Sequence, residues 1–220
     1  MASTEAADAL RALAQRPAVV TIDLHRGHLD PDVATLPLPA ESSAALVERA
    51  VPLLDAYRER GIPVIHVITA YRNRAEILDN AYWRFQAERP GSSRAAIAEH
   101  NLEGMPGLEL MPGIGREGDA IVRTKQRYDC FIGTDLDFLL HTHGINTVFV
   151  TGVNTNSCVL STACAACSRD YAVVVVEDCV DTMDGPALHE AALACIRTAF
   201  GLVASGKEIS DKNYFLKKSA

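Results

Sequence analysis

Residues 147–178 read TVFVTGVNTNSCVLSTACAACSRDYAVVVVED. TVFVTG (147–152) is an apolar run of strand length, rich in β-branched residues, and AVVVVED (172–178) is another. Runs without polar alternation fit strands buried on both faces. Between them, residues 157–169 carry small and apolar side chains at helical spacing, after the polar connection GVNTNS. A strand, a helix and a second strand in this order form a crossover unit, which places the two strands parallel in one sheet.

The same rhythm extends outward in both directions. AVVTIDL (18–24), PVIHVIT (63–69), DAIVRT (119–124) and LVAS (202–205) are further strand candidates. Helical spacing occupies residues 40–60, with Leu46, Leu53, Leu54 and Tyr57 on the inner stripe and Gly61 as C-cap. Asp135–His143, ending near Gly144, and residues 186–199 are also helical. Residues 70–118 are polar and irregular, with Pro90–Gly91 and the tract MPGLELMPGIG, and read as a loop-rich excursion with one or two short helices. The first 16 residues read as a short helix or a frayed tail. The expected fold is one domain over residues 1–220, a three-layer α/β/α arrangement around a mostly parallel six-stranded sheet.

Composition narrows the function. A formal net charge of −7 opposes a nucleic-acid partner, whose phosphates would meet like charge over most of the surface. It leaves room for a local basic pocket that takes an acidic metabolite. No run approaches the ~20 apolar residues of a membrane span. The N-terminal segment, with Glu5 and Asp8 and no apolar stretch, does not resemble a secretory signal. Cysteines 130, 158, 164, 167, 179 and 195 fall in apolar or helical patterns, so reduced thiols in the cytoplasm are expected.

Ligands of open parallel sheets bind at the carboxyl ends of the strands, near the reversal of strand order. The first strand ends at Asp23, Lys125 follows the third, and the connection after the fourth leads to Cys158. Taken singly, Asp23 reads equally as a turn cap, Lys125 as a solvated lysine and Cys158 as a packing residue. Their arrival at one edge from three strands singles them out. A thiol at a helix start beside an ammonium is expected to favour thiolate. Asp23 would take the thiol proton and return it to a leaving amine, and main-chain N–H groups of residues 154–158 would hold an oxyanion.

Other signals carry less. Gly113-x-Gly115-x-x-Gly118 precedes a strand and does not link a strand to a helix, so it reads as a loop and not as a nucleotide site. Cys164 and Cys167 lie within a helix and cannot complete a zinc site alone. His25 and His28 follow Asp23 and border the expected pocket; a Cys–His dyad using a histidine is the second mechanistic reading. His66 reads as a core histidine and His189 as a helix-surface one. Arg26 and Arg127 either bind a substrate carbonyl or anchor loops. Tyr82, Trp83 and Phe85 form a lid, a subunit contact or packing.

TIDL, RTKQRYDCF…TDLDFLL, VTGVNTNSCVLSTACAA and YAVVVVEDCVDT together resemble the isochorismatase-like cysteine hydrolases, from about Ala18 to Leu202. That group includes nicotinamidases, N-carbamoylsarcosine amidases, ureidoacrylate hydrolases and biuret or triuret hydrolases. The resemblance implies a catalytic triad of Asp23, Lys125 and Cys158. It also implies a cis peptide at Val153–Asn154 and an oxyanion hole from the N–H groups of Asn154 and Cys158.

Metal-dependent members carry an Asp-x-His segment after the second strand. Here the segment reads HVITAYRNRAE, so neither metal nor cofactor is expected. Members acting on N-carbamoyl amino acids tend to present an arginine after the DCV segment, where this chain has Met183. That departure points to a compact neutral substrate of biuret or triuret type, contacted by His28, Arg127 and Met183 beside Val153 and Asn154. A homodimer or homotetramer acting on a small molecule is implied. Competing readings are another amidase activity of the group, hydrolysis of a vinyl ether, which needs no thiol, and a non-catalytic flavodoxin-like binding module.

Overall fold

The computed structural model describes residues 15–211, so the expected N-terminal helix or tail lies almost wholly outside the described residues. Six strands form one sheet: β1 Pro17–Ile22, β2 Val64–Thr69, β3 Ala120–Lys125, β4 Thr147–Val153, β5 Ala172–Asp181 and β6 Leu202–Ala204. Their order is β3-β2-β1-β4-β5-β6, and all five neighbouring pairs are parallel. The chain lays down β1, β2 and β3 toward one edge, then returns to place β4 on the other side of β1. Strand order therefore reverses between β1 and β4, the place where open parallel sheets hold ligands.

β1, β2, β4 and β5 are apolar runs because both faces are covered. Alternate side chains enter two different cores: Val19, Phe149 and Val174 face one, and Val20, Val148 and Val173 the other. The first core is closed by α2 (Ala40–Glu59), which follows the short turn α1 (Arg26–Leu29). Leu46, Ala50, Leu53, Leu54 and Tyr57 recur every three or four residues on its buried stripe. Gly61, at φ +71°, ends it in the left-handed region. The opposite face is covered by α5 (Leu136–Thr142), α6 (Leu160–Cys167) and α7 (Pro186–Ala199), through Leu136, Leu140, Ala163, Ala166, Leu193 and Ile196. At ~25 cal/mol per Å² of apolar surface, burial on both faces is the main stabilising contribution.

The excursion is more ordered than its sequence suggests. It holds α3 (Arg74–Leu78), α4 (Ala81–Glu88) and two 3₁₀ turns at Ala95–Glu99 and Pro106–Leu108. Asn73 and Asn80 cap α3 and α4, their side-chain oxygens accepting main-chain N–H bonds. These pieces enclose a small third core of Leu36, Tyr71, Ile77, Trp83 and Ile97. α1 and α8 (Gly206–Asp211) were missed because four to six residues are too few for a helical period. No described helix is long and apolar enough to cross a membrane.

Strand register fixes where the site residues emerge. Ile22 pairs with Gly152 across β1 and β4, and Thr69 pairs with Lys125 across β2 and β3. Lys125 is thus the last residue of β3, not one past it. Gly152 sits at φ +112°, and a β-carbon there would collide with the Ile22 main-chain carbonyl. Only glycine permits this close approach of β1 and β4 at their functional ends.

Candidate active site

Asp23 leaves β1 with φ +55°, a left-handed conformation that a non-glycine residue holds only when its surroundings enforce it. Its side chain is fully buried. Oδ1 accepts hydrogen bonds from the Thr69 main-chain N–H at 2.8 Å and from the Thr69 hydroxyl at 2.9 Å. Oδ2 accepts one from Lys125 Nζ at 2.7 Å. The Lys125 ammonium also donates to Thr69 Oγ1 and, at 3.3 Å, to Cys158 Sγ. Each of its three hydrogens thus has a partner, and the ammonium links carboxylate to sulfur. Asp23, Lys125 and Cys158, widely separated in sequence, meet at one rim of the sheet.

The protonation states follow from burial and pairing. Burial opposes the charge on Asp23, but Lys125 and then His25 outweigh it and hold the carboxyl well below the usual range. Burial likewise opposes the charge on Lys125, yet Asp23 and the sulfur keep its pKa above the ordinary lysine value. Cys158 goes the other way. Burial raises its pKa, Lys125 lowers it and the Asp23 charge raises it again, leaving it at about 11. The thiolate expected from the helix start is therefore overturned: the resting site is a carboxylate, an ammonium and a neutral thiol. With only 4% of Cys158 exposed, desolvation is the largest influence on the thiol and opposes its ionisation.

Cys158 lies in a π-helical turn, Thr155–Val159, that continues into α6. This turn replaces the first turn of the helix expected from residue 157. The peptide Val153–Asn154 is cis. The Ser157 and Val159 N–H groups both donate to the Asn154 carbonyl at 3.1 Å, which folds the loop under the sulfur. Asn154 Oδ1 accepts from the Met183 N–H at 2.9 Å, tying this turn to the loop after β5.

The sulfur opens into a small cavity, whose walls include His28, Trp83, Arg94, Arg127, Asn154 and Met183. His28 Nδ1 donates to the Leu36 carbonyl at 3.2 Å, which leaves Nε2 as an acceptor. Burial drives the His28 pKa down to about 4, so the ring is neutral near pH 7. Arg94 crosses from the excursion to Asp184, with Nη1–Oδ1 at 2.9 Å and Nη2–Oδ2 at 2.6 Å. Arg127 lies over Trp83, its guanidinium carbon 5.1 Å from the ring centroid.

His25, His28 and His100 cluster beside Asp23, and each commits ring nitrogen to the protein, to Gly107, Leu36 and Thr35 respectively. Among the described residues no group of three or more His, Cys, Asp or Glu converges as a metal would require.

A strand-end acid, a buried ammonium and a cavity-facing cysteine at the β1/β4 reversal can support nucleophilic attack on a small carbonyl compound. Residues 17–208 match the model of the isochorismatase domain. The chain belongs to the isochorismatase family. It is 29% identical to maleamate amidohydrolase of Pseudomonas putida over 88% of this chain and 85% of that one. It is 30% identical to ureidoacrylate amidohydrolase of Pantoea ananatis, over 90% of this chain and 82% of that one. Among solved structures it is similar to N-carbamoylsarcosine amidase from Thermoplasma acidophilum, with a TM-score of 0.69, 26% identity and coverage of 89% of this chain and 99% of that chain.

Within this isochorismatase-family site, several expectations shift. Val153 is buried in the core facing α2 and lies behind the cavity wall, whereas Asn154 and Met183 reach it. Arg26 anchors loops, bonded to Asp30 and Glu109. His66 is a core histidine between Thr21 and Asp119. His189 holds Thr155 in the nucleophile turn at 2.9 Å, a tie that its helix position did not reveal. Of the aromatic trio, Trp83 is buried against the cavity while Tyr82 and Phe85 are exposed. Cys158 bonds Lys125, and no histidine among the described residues bonds it, which removes the Cys–His dyad.

Two residues went unnoticed in the sequence. Thr69 reads as an ordinary strand-ending threonine. Arg94 sits in an aperiodic tract, yet its Nη1 lies 3.3 Å from Met183 Sδ. Arg94 therefore lines the cavity beside Met183, with its charge matched by Asp184.

Proposed function

We propose that this protein is a cysteine amidohydrolase that releases ammonia from a small linear amide or ureido compound, through a covalent intermediate on Cys158. The observation that carries this reading is the Lys125 ammonium, bonded at once to Asp23 and to Cys158 in a buried site open only to a small cavity. The relatives named for amide substrates, maleamate and ureidoacrylate amidohydrolases and N-carbamoylsarcosine amidase, support C–N cleavage. Biuret and triuret belong to the same reaction class and are the neutral arm of the substrate test.

In this mechanism the ionised Asp23 accepts the thiol proton as the sulfur attacks the carbonyl carbon. The oxyanion forms against the N–H groups of Asn154 and Cys158. The C–N bond breaks as Asp23 returns the proton to nitrogen, and ammonia leaves. Asp23 then removes a proton from water, which attacks the thioester-like carbonyl; the C–S bond breaks and the sulfur recovers the proton. Lys125 keeps its proton throughout and balances whichever neighbour is anionic. A resting thiol suits this scheme, because carboxylate and thiol are the protonation states that the first step consumes.

The test is an ammonia-release assay over biuret, triuret, ureidoacrylate, N-carbamoyl amino acids, maleamate and nicotinamide. At least one compound should be turned over. Cys158→Ser and Asp23→Asn should each lower kcat by about 30- to 1,000-fold, the equivalent of ~2–4 kcal/mol of barrier. Iodoacetamide at alkaline pH, where the buried thiol ionises, should label Cys158, read at that residue by mass spectrometry. No release from any compound would favour a non-catalytic binding module.

A further inference from the structure

His25 is fully buried and lies two residues past the base, yet no step of the mechanism uses it. Its main chain is held by the excursion. His25 forms an antiparallel bridge with Leu110. Beside it the Arg26 N–H donates to the Glu109 carbonyl at 2.8 Å, and the Met111 N–H donates to the Leu24 carbonyl at 3.1 Å. The ring thus starts from a fixed point between the end of β1 and the excursion.

The two ring nitrogens meet different surroundings. Nδ1 is served whether or not it carries hydrogen: the Gly107 carbonyl lies 2.7 Å away as an acceptor, and the Gly27 N–H 3.1 Å away as a donor. Nε2 has no partner at hydrogen-bond distance among the described residues, and what it faces is Asp23 Oδ1 at 3.4 Å. The titratable groups around the ring are few. His28 stands 5.4 Å away between ring centroids, and His100 lies 4.6 Å beyond His28. Burial lowers the pKa of both, so both are neutral near pH 7. Lys125 is bonded to the other oxygen of Asp23 at 2.7 Å. The charge that Nε2 faces is the carboxylate.

A lone pair on Nε2 would point at an anion in a buried site, where such a repulsion is strong. An N–H there turns the same contact into an attraction. Oδ1 already accepts two bonds from Thr69, which accounts for the length of this third contact.

We propose that His25 is a positioning residue for the catalytic base: it carries hydrogen on Nε2, aims it at Asp23 Oδ1, and so holds Oδ2 toward Lys125. Thr69 and His25 close on one oxygen and Lys125 takes the other, so the carboxyl plane cannot turn. His25 does not line the cavity and touches no substrate. Its kinetic consequences rest on the amidohydrolase reading, whereas the hydrogen on Nε2 is independent of it.

The first measurement is nitrogen-15 NMR of the histidine-labelled full chain near pH 7, with the His25 signals identified by their loss in His25→Gln. Nε2 should bear hydrogen, and Asp23→Asn should shift its resonance. A lone pair on Nε2 overturns the proposal, whatever the activity.

The second measurement is turnover of whichever amide or ureido compound the wild type cleaves. His25→Leu should lower kcat by about 30-fold and leave KM within about twofold. His25→Gln, whose amide can donate to Asp23, should recover kcat to within about fivefold of the wild type. A folded His25→Leu with unchanged kcat, a loss carried by KM, or a folded His25→Gln no better than His25→Leu overturns the positioning role. Should His25→Leu fail to fold, the NMR result decides. If no compound is turned over, the amidohydrolase reading falls, while hydrogen on Nε2 directed at Asp23 still upholds the placement of His25.

Discussion

Arg94 and Asp184, ninety residues apart, meet in a two-pronged ion pair that ties the excursion to the loop after β5. Asp184 also accepts from Asn156 Nδ2 at 2.9 Å, and Asn156 sits two residues before the nucleophile. The wall of the cavity and the turn that carries the sulfur are thus joined through one carboxylate.

Asp184→Ala should release both partners at once. Both side chains of the pair are mostly buried, 15% and 14% exposed, so the loss should exceed that of a surface pair. We expect ~1–3 kcal/mol of stability and a drop of tenfold or more in kcat/KM. A double-mutant cycle with Arg94→Met should return a coupling of ~1–3 kcal/mol. Additive single effects would mean that the pair is ornamental.

Lys125→Met should leave Asp23 charged, buried and without its counter-ion. Breaking one side of such a pair costs ~3–5 kcal/mol, more than removing both. The double variant Lys125→Met/Asp23→Asn should therefore unfold at higher denaturant than Lys125→Met alone, while both remain inactive. A double variant less stable than the single one would contradict the buried-pair account.

Cys158 should behave as a neutral thiol in the resting enzyme. With its pKa pushed up to about 11, alkylation by iodoacetamide should rise steadily from pH 7 to pH 10. A rate that levels off near pH 7 would reveal a stable thiolate instead. Following Cys158 labelling by mass spectrometry separates it from exposed Cys195.

Acid should destabilise the fold before the carboxylates titrate. His28, His66 and His100 all have lowered pKa values, burial being the largest cause in each. Unfolded histidines bind protons below about 6.5 while the folded ones resist. Their contribution is complete above that pH and is lost as pH falls toward about 4, the value reached by His28. The melting temperature should drop between pH 7 and pH 5, and His66→Gln should flatten that dependence. A pH-independent melting temperature across this window would show that the rings are solvated.

The sequence alone determined the alternating architecture, because strands buried on both faces must be apolar runs and helices on their surfaces must carry a three-to-four-residue stripe. It also located Asp23, Lys125 and Cys158, since each marks the point where a strand, or the turn after it, leaves the apolar core. The excursion carries no such period, so the placement of Arg94 against Asp184 and of Arg127 over Trp83 was decided only by long-range packing. The same holds for the charge on the sulfur. A residue's neighbours along the chain set a local field, whereas desolvation depends on everything folded over it, and at Cys158 desolvation is the larger effect.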